Sequence, residues 1–165
     1  MKPSELLLPE FDREMASTRK VLERVPDDKL AWKPHPKSFS MAGLATHLAS
    51  ITGWGVVTLT ADSFDLSGPD AKPPAPAASR QQLLEMLDRG VAALRPVLAA
   101  VEDADLFKPW SLRMGGKAIF TLPRIVVFRT HILNHNVHHR AQLGVYLRLN
   151  NVPVPATYGP TADEQ

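Results

Sequence analysis

A chain of 165 residues that is 44% hydrophobic has enough apolar material for one proper core and too little for two, so residues 1–165 are expected to form a single domain. Nineteen Lys and Arg against 17 Asp and Glu leave a formal charge of +2, too small an electrostatic footprint for a nucleic-acid partner. The absence of cysteine excludes disulfides, thiolate metal sites and cysteine nucleophiles, so a metal would have to be held by His, Asp, Glu or water.

The first apolar run, Leu6-Leu7-Leu8, is only three residues long and is followed by Pro9 and Glu10, unlike the long apolar core of a signal peptide. No stretch approaches the roughly 20 apolar residues of a spanning helix. The expectation is a soluble cytoplasmic protein with no membrane partner. Leu8, Phe11, Met15, Leu22 and Val25 recur at three- and four-residue steps and predict an amphipathic helix from about Ser4 to Val25, stopped by Pro26. Asp27 to Phe39 contains Pro34 and Pro36 and reads as an ordered connector plugged by Trp32 and Phe39. Ser40 is an N-cap candidate for a second helix, with Met41, Leu44, Leu48 and Ile51 on one face, ending near Ala61.

Pro69, Pro73, Pro74 and Pro76 make Asp62 to Ala78 a crossover loop. Ser79 and Gln82 have capping-box spacing and open a third helix through about Val101, which Pro96 should kink. Between Glu102 and Phe120, residues Ser111 to Phe120 suggest a hairpin-like loop around Gly115-Gly116. Thr121 is the cap expected for the last helix, with Pro123 in its first turn and its end near Asn150, a length of over about 40 Å. Four helices without a convincing run of strands predict an all-α four-helix bundle. The tail beyond Asn150, with Pro153, Pro155 and Pro160, should lie irregularly over it.

Five of the six histidines fall on these helices, and His131, His135, His138 and His139 lie within nine residues of the last one. Advancing about 100° per residue places all four on one helix face, with Phe128, Ile132, Tyr146 and Leu149 on or beside it. A single imidazole on an apolar face is usually a core residue with a hydrogen-bond partner. Several together are costly to bury unless something satisfies their nitrogens, and a divalent cation does so for a pair at i and i+4. His47 is the only other helical histidine, beside Leu44, Leu48 and Ile51, and is the candidate for a further ligand from the second helix. Neutral nitrogen donors suit Zn²⁺, Ni²⁺ or Fe²⁺ over Mg²⁺ or Ca²⁺. Three protein ligands leave a position open for water or substrate, as in catalytic sites.

Three segments, Leu30-Ala31-Trp32-Lys33-Pro34-His35-Pro36-Lys37-Ser38-Phe39-Ser40, Leu44-Ala45-Thr46-His47-Leu48-Ala49 and Asn134-His135-Asn136-Val137-His138-His139-Arg140-Ala141-Gln142-Leu143 with Tyr146-Leu147-Arg148, resemble the DinB/YfiT-like family of damage-inducible proteins and metalloenzymes. The likeness covers nearly the whole chain in order. It implies an up-down-down-up bundle with one divalent metal on His47, His135 and His139. The motif departs from the family pattern at Ala141, where glycine is usual; that position lies away from the histidine face. The family includes S-transferases and isomerases that use low-molecular-weight thiols, so the resemblance implies a small-molecule substrate and a thiol as possible co-substrate.

Other roles follow for the remaining residues. His131 is expected as a core or supporting histidine, and His138 as one that orients a ligand or bonds to backbone. Arg140 is expected in a structural ion pair or an interface, Gln142 beside the ligands, Asp12 and Glu14 on a solvated face, and Trp32, Trp54 and Trp110 in packing, with the lining of a substrate pocket as the alternative for one of them. Leu133, Val137, Ala141 and Gly144 form an apolar strip on the opposite side of the last helix, to be covered by a homodimer partner or by the C-terminal tail. The functional expectation is a metal-dependent enzyme, hydrolase-like or a thiol S-transferase, set against a non-catalytic metal-containing binding or stress-response protein. A ferritin-type di-metal centre is excluded because the last helix has no Glu-x-x-His motif.

Overall fold

The computed structural model describes residues 3–164. Its helices are α1 (Pro3–Leu22), α2 (Met41–Thr60), α3 (Arg80–Ala100), α4 (Asp103–Leu106), α5 (Arg124–Val127) and α6 (His135–Leu149). A π-helical segment, Phe128–Asn134, joins α5 to α6 into one unbroken helical rod. α1 and α2 are each flanked by α3 and α6, and Phe11, Met15, Leu44, Leu48, Leu87, Leu94, Phe128 and Leu143 meet in the core between them. The apolar stripe of α1 does what its spacing predicts, since Phe11, Met15, Leu22 and Val25 are all buried. Among the described residues no helix is long and apolar enough to cross a membrane.

The caps explain where the helices begin. Ser40 accepts the amide of Gly43 at 3.1 Å, while the connector folds back so that the carbonyls of Trp32 and Leu30 accept the amides of Met41 and Ala42 at 2.8 and 2.9 Å. Three donors that a helix start leaves orphaned are thereby satisfied. Ser79 Oγ accepts the Gln82 amide and Gln82 Oε1 accepts the Ala78 amide, a capping box displaced by one residue. α3 continues through Pro96, which lies on its exposed side together with residue 92, the position whose carbonyl the proline leaves unpaired.

A small sheet modifies the all-helical expectation. β1 (Ser63–Asp65) pairs in parallel with β2 (Pro109–Met114), and β2 pairs antiparallel with β3 (Lys117–Pro123). The hairpin expected around Gly115-Gly116 is present, with both glycines at positive φ. Asp65 holds its tip by accepting the amides of Gly115, Gly116 and Ser67 and the Ser67 hydroxyl. Those bonds, led by the Ser67 hydroxyl, keep the Asp65 carboxyl far below the usual range. Strand β1 lies within what reads as a Pro-rich crossover loop; three residues are too few to carry a period, and their partner is 48 positions away in the register Ser63↔Ser111. The same sheet overturns Thr121 as a helix cap. Thr121 pairs with Ser111 in the ladder, their hydroxyls 2.7 Å apart, and the helix opens after Pro123.

α2 and α3 approach so closely that glycine is required at the contact. A Cβ on Gly90 would lie 2.0 Å from Thr52 Oγ1 and 3.1 Å from Thr52 Cβ, and one on Gly55 would lie 2.4 Å from Leu94 Cδ2. Gly90→Ala is therefore expected to force the two helices apart and lower stability by about 1–3 kcal/mol, although the substitution favours helix locally by up to about 1 kcal/mol. Urea unfolding checks this; a midpoint at or above that of the parent chain would contradict the close approach.

Candidate metal centre

His47 projects from the middle of α2, one residue after Thr46, whose hydroxyl accepts the buried Ala77 amide at 2.8 Å and pins the Pro-rich loop over this part of the helix. His135 and His139 project from the first turns of α6, one helical turn apart. The structure brings the three rings together. Nε2 of His135 lies 3.3 Å from Nε2 of His47 and 2.8 Å from Nε2 of His139, and the ring centroids of His47 and His139 are 4.6 Å apart. One nitrogen from each ring falls within a group no wider than 4.8 Å, a geometry that could hold a metal ion.

The outer edges of two rings fix which nitrogen carries hydrogen. His135 Nδ1 faces the His131 carbonyl at 3.3 Å, which can only accept, so Nδ1 is the donor. His139 Nδ1 faces Gln142 Oε1 at 2.8 Å and donates likewise. Both Nε2 atoms then present lone pairs to the common centre, where lone pairs repel unless a cation lies between them. Gln142 thus takes the place beside the histidine cluster that its helical position predicts.

Burial pushes all three imidazoles below the ordinary histidine range. His47 is lowered to about 4, first by desolvation and then by the neighbouring His139 and His135. His135 is lowered by burial and then by His139. His139 is lowered by burial, with Gln142 acting in the opposite direction. Near neutral pH the three rings are uncharged, the form in which imidazole binds metal.

His131 and His138 do not join the group. The π-helical segment adds a residue to the turn just before α6, so the 100° spacing used to align His131 with His135 does not hold there. Its signal is local: Thr130 Oγ1 donates to the Val126 carbonyl at 2.7 Å and competes with the backbone ladder. His131 instead packs its ring 5.0 Å from Phe120 and bonds the Thr130 hydroxyl. His138 lies exposed beside the His139 ring. His35, in the connector, accepts the Lys37 amide.

Three expectations for side chains near the site change. Phe39 is no core plug; it is 58% exposed and stacks against His47 with centroids 6.1 Å apart. Trp32 does pack on the core, edge-on to Tyr146. Glu14 is buried, not solvated, because α1 turns it towards α6, where its carboxylate takes Arg140 Nη2 at 2.6 Å and the Tyr158 hydroxyl at 2.7 Å. Arg140 has the structural ion pair expected of it, with further bonds to the Glu14 carbonyl and Thr18 Oγ1. Asp12 is half-buried at the surface and pairs with Arg95.

Two cavities open beside His47. One, of about 360 Å³, lies against Trp54, Val57 and Phe64; the other, of about 430 Å³, lies against Lys33, Phe39 and Gly43. Ser50, Trp54 and Val57 follow His47 at three, seven and ten positions along α2, a helical stripe legible in the sequence. Phe64 and the Pro73-Pro74 wall come from distant chain and carry no such signal.

A helical bundle whose second and last helices bring three imidazoles to one point defines a class: a helical protein with a histidine cluster that could hold a metal ion. The model of the DinB superfamily matches residues 10–143, a span that includes all three histidines, and the chain belongs to that superfamily. Two solved structures share the fold. A DinB-like protein from Bacillus cereus ATCC 10987 is 23% identical, with a TM-score of 0.71 over 92% of this chain and 95% of that one. A DinB-like protein from Bacillus subtilis, YjoA, is 15% identical, with a TM-score of 0.69 over 97% and 99%. No curated protein matches the chain at a significant level.

Proposed function

We propose that the protein is a metal-dependent enzyme acting on a small molecule, either hydrolase-like or transferring a low-molecular-weight thiol, with His47, His135 and His139 as ligands to one Zn²⁺, Ni²⁺ or Fe²⁺ ion. The carrying observation is the convergence of three Nε2 atoms, two of them with their Nδ1–H tied to fixed acceptors. A divalent ion on three protein nitrogens supplies Lewis acidity and lowers the pKa of water or a thiol in its open position. The chain's residues hold the imidazoles in their metal-binding tautomer, and the two cavities beside His47 give a small molecule access. A non-catalytic role, with the ion clamping two helices, would call for a fourth protein donor. Neither His131 nor His138 belongs to the converging group, which favours the catalytic reading.

On this reading the chain is one domain over residues 1–165 with up-down-down-up helices. The test is elemental analysis of the purified protein beside His47→Ala and His135→Ala, where about one equivalent of metal is expected in the parent and a small residue in each variant. Stoichiometric metal in both variants would end the assignment. Turnover is then sought with thiols and electrophiles of several kinds.

A homodimer through α6 has limited surface available. Leu133 is buried in the core, Val154 of the tail sits 3.7 Å from where a Cβ on Gly144 would be, and Ala141 and Val145 remain exposed. Sedimentation equilibrium at high micromolar concentration decides it, and monomer alone excludes the dimer.

A further inference from the structure

The two cavities at the histidine centre differ in chemistry and share a boundary. Both are lined by His47, Ser50, Pro73 and Pro74, so they adjoin at His47, the histidine of the centre that α2 contributes. The first has an aromatic wall, Trp54 and Phe64 with ring centroids 5.0 Å apart and tilted 56°. Trp54 is 37% exposed, apolar ring surface left facing a concavity of small-molecule size. The charges there are opposite in sign, Asp70 and Lys72, and leave no net field. In the second cavity Lys33 is the sole charged residue, and among the described residues no carboxylate lies within ion-pairing distance of it. An unpaired ammonium at the rim of a concave site attracts an anion from solution.

From this division we infer that the site takes a two-armed carboxylate: a flat apolar or aromatic arm lies against Trp54 and Phe64, an anionic arm reaches Lys33, and the reacting atom sits between them beside His47. The inference deepens the metal-centre reading by naming a substrate class, and rests on that reading only for the reacting atom. Trp54 and Lys33 are binding residues here; neither belongs to the histidine group.

The test uses a probe with all three features, α-mercapto-β-phenylpropionate, on zinc-loaded protein by isothermal titration and tryptophan fluorescence. Two relatives remove one arm each: α-mercaptopropionate lacks the ring and α-mercapto-β-phenylpropionamide lacks the charge. Each is expected to bind about ten-fold more weakly than the parent probe, the scale of one buried ring or one charge-assisted contact. Lys33→Met should erase the preference of acid over amide and leave the ring preference. Trp54→Ala should do the reverse, and both variants should retain zinc. Equal binding of acid and amide, or an acid preference that survives in Lys33→Met, overturns the anionic arm; indifference to the ring overturns the apolar arm. Repeating the comparison without metal, β-phenylpropionate against its amide for the charge and against propionate for the ring, separates the two readings. Both preferences in a protein that takes up no zinc overturn the metal centre alone, whereas their absence from zinc-loaded protein overturns the ligand class alone.

Discussion

Arg140→Ala is expected to destabilise the protein by about 3–5 kcal/mol, because it leaves the Glu14 carboxylate buried without its cation. The guanidinium donates to Glu14 Oε2, to the Glu14 carbonyl, to Thr18 Oγ1 and to the Tyr158 hydroxyl at 2.5 Å, and lies 5.2 Å from the centre of the Tyr158 ring. One residue thus joins α6 to α1 and fastens the C-terminal tail. Burial and the bond to Glu14 hold the Tyr158 phenol above its ordinary range, so the tail is clasped by a neutral hydroxyl. The double variant Glu14→Met/Arg140→Met removes both charges and should recover most of the loss, since the desolvation cost disappears with them. Urea unfolding of the single and double variants checks this; a double variant as unstable as Arg140→Ala would show that the unpaired Glu14 carboxylate is not the source of the loss. As Arg140 follows His139 directly, the same clasp sets the rotation of α6 that points His135 and His139 inward.

Metal should raise the melting temperature, and His135→Ala should abolish the rise. A ligand at about a hundred times its dissociation constant stabilises by about 2.7 kcal/mol, which for a domain of this size is roughly 5–10 °C. His135 is the variant of choice because its Nε2 is the atom nearest to both other rings. A melting temperature indifferent to zinc in the parent, or a full shift in His135→Ala, would refute the site.

The metal-free protein should also depend on pH in a definite direction. His47 titrates at about 4 in the fold because of burial and its two neighbours, against about 6.5 in an unfolded chain. Between those values the unfolded state binds more protons, so stability is full above about pH 6.5 and declines as pH falls towards 4. Denaturant midpoints from pH 7 to 4.5 should fall in the parent and fall less steeply in His47→Gln. Equal slopes would mean that His47 is not held in the buried, neutral form.

Much of the helical plan was legible because it rests on local physics. The α1 stripe, Ser40 and Ser79 as caps, Pro26 as a stop and the glycine pair at a hairpin tip are properties of neighbouring residues, and the structure agrees with them to within a few positions. What failed locally has a local or distant cause. His131 left the histidine face because seven residues adopt π geometry. Thr121 joined a strand because its partner is Ser111, and Glu14 was buried because Arg140, 126 residues away, supplies its countercharge.

The three histidines divide in the same way. Sequence by itself determined that His135 and His139 stand one turn apart on an interior face, because i and i+4 neighbours are fixed by the helical repeat. It determined that no thiolate donor was present and that His47 was the one other helical histidine, which the family likeness then grouped with His135 and His139. Only the tertiary structure decided that Nε2 of His47, 88 residues from His135, comes within 3.3 Å of it, since that distance depends on how α2 packs against α6. The same packing, with the loop pinned at Thr46, decided that an aromatic wall and an unpaired lysine flank the centre, and no spacing rule reaches across such separations.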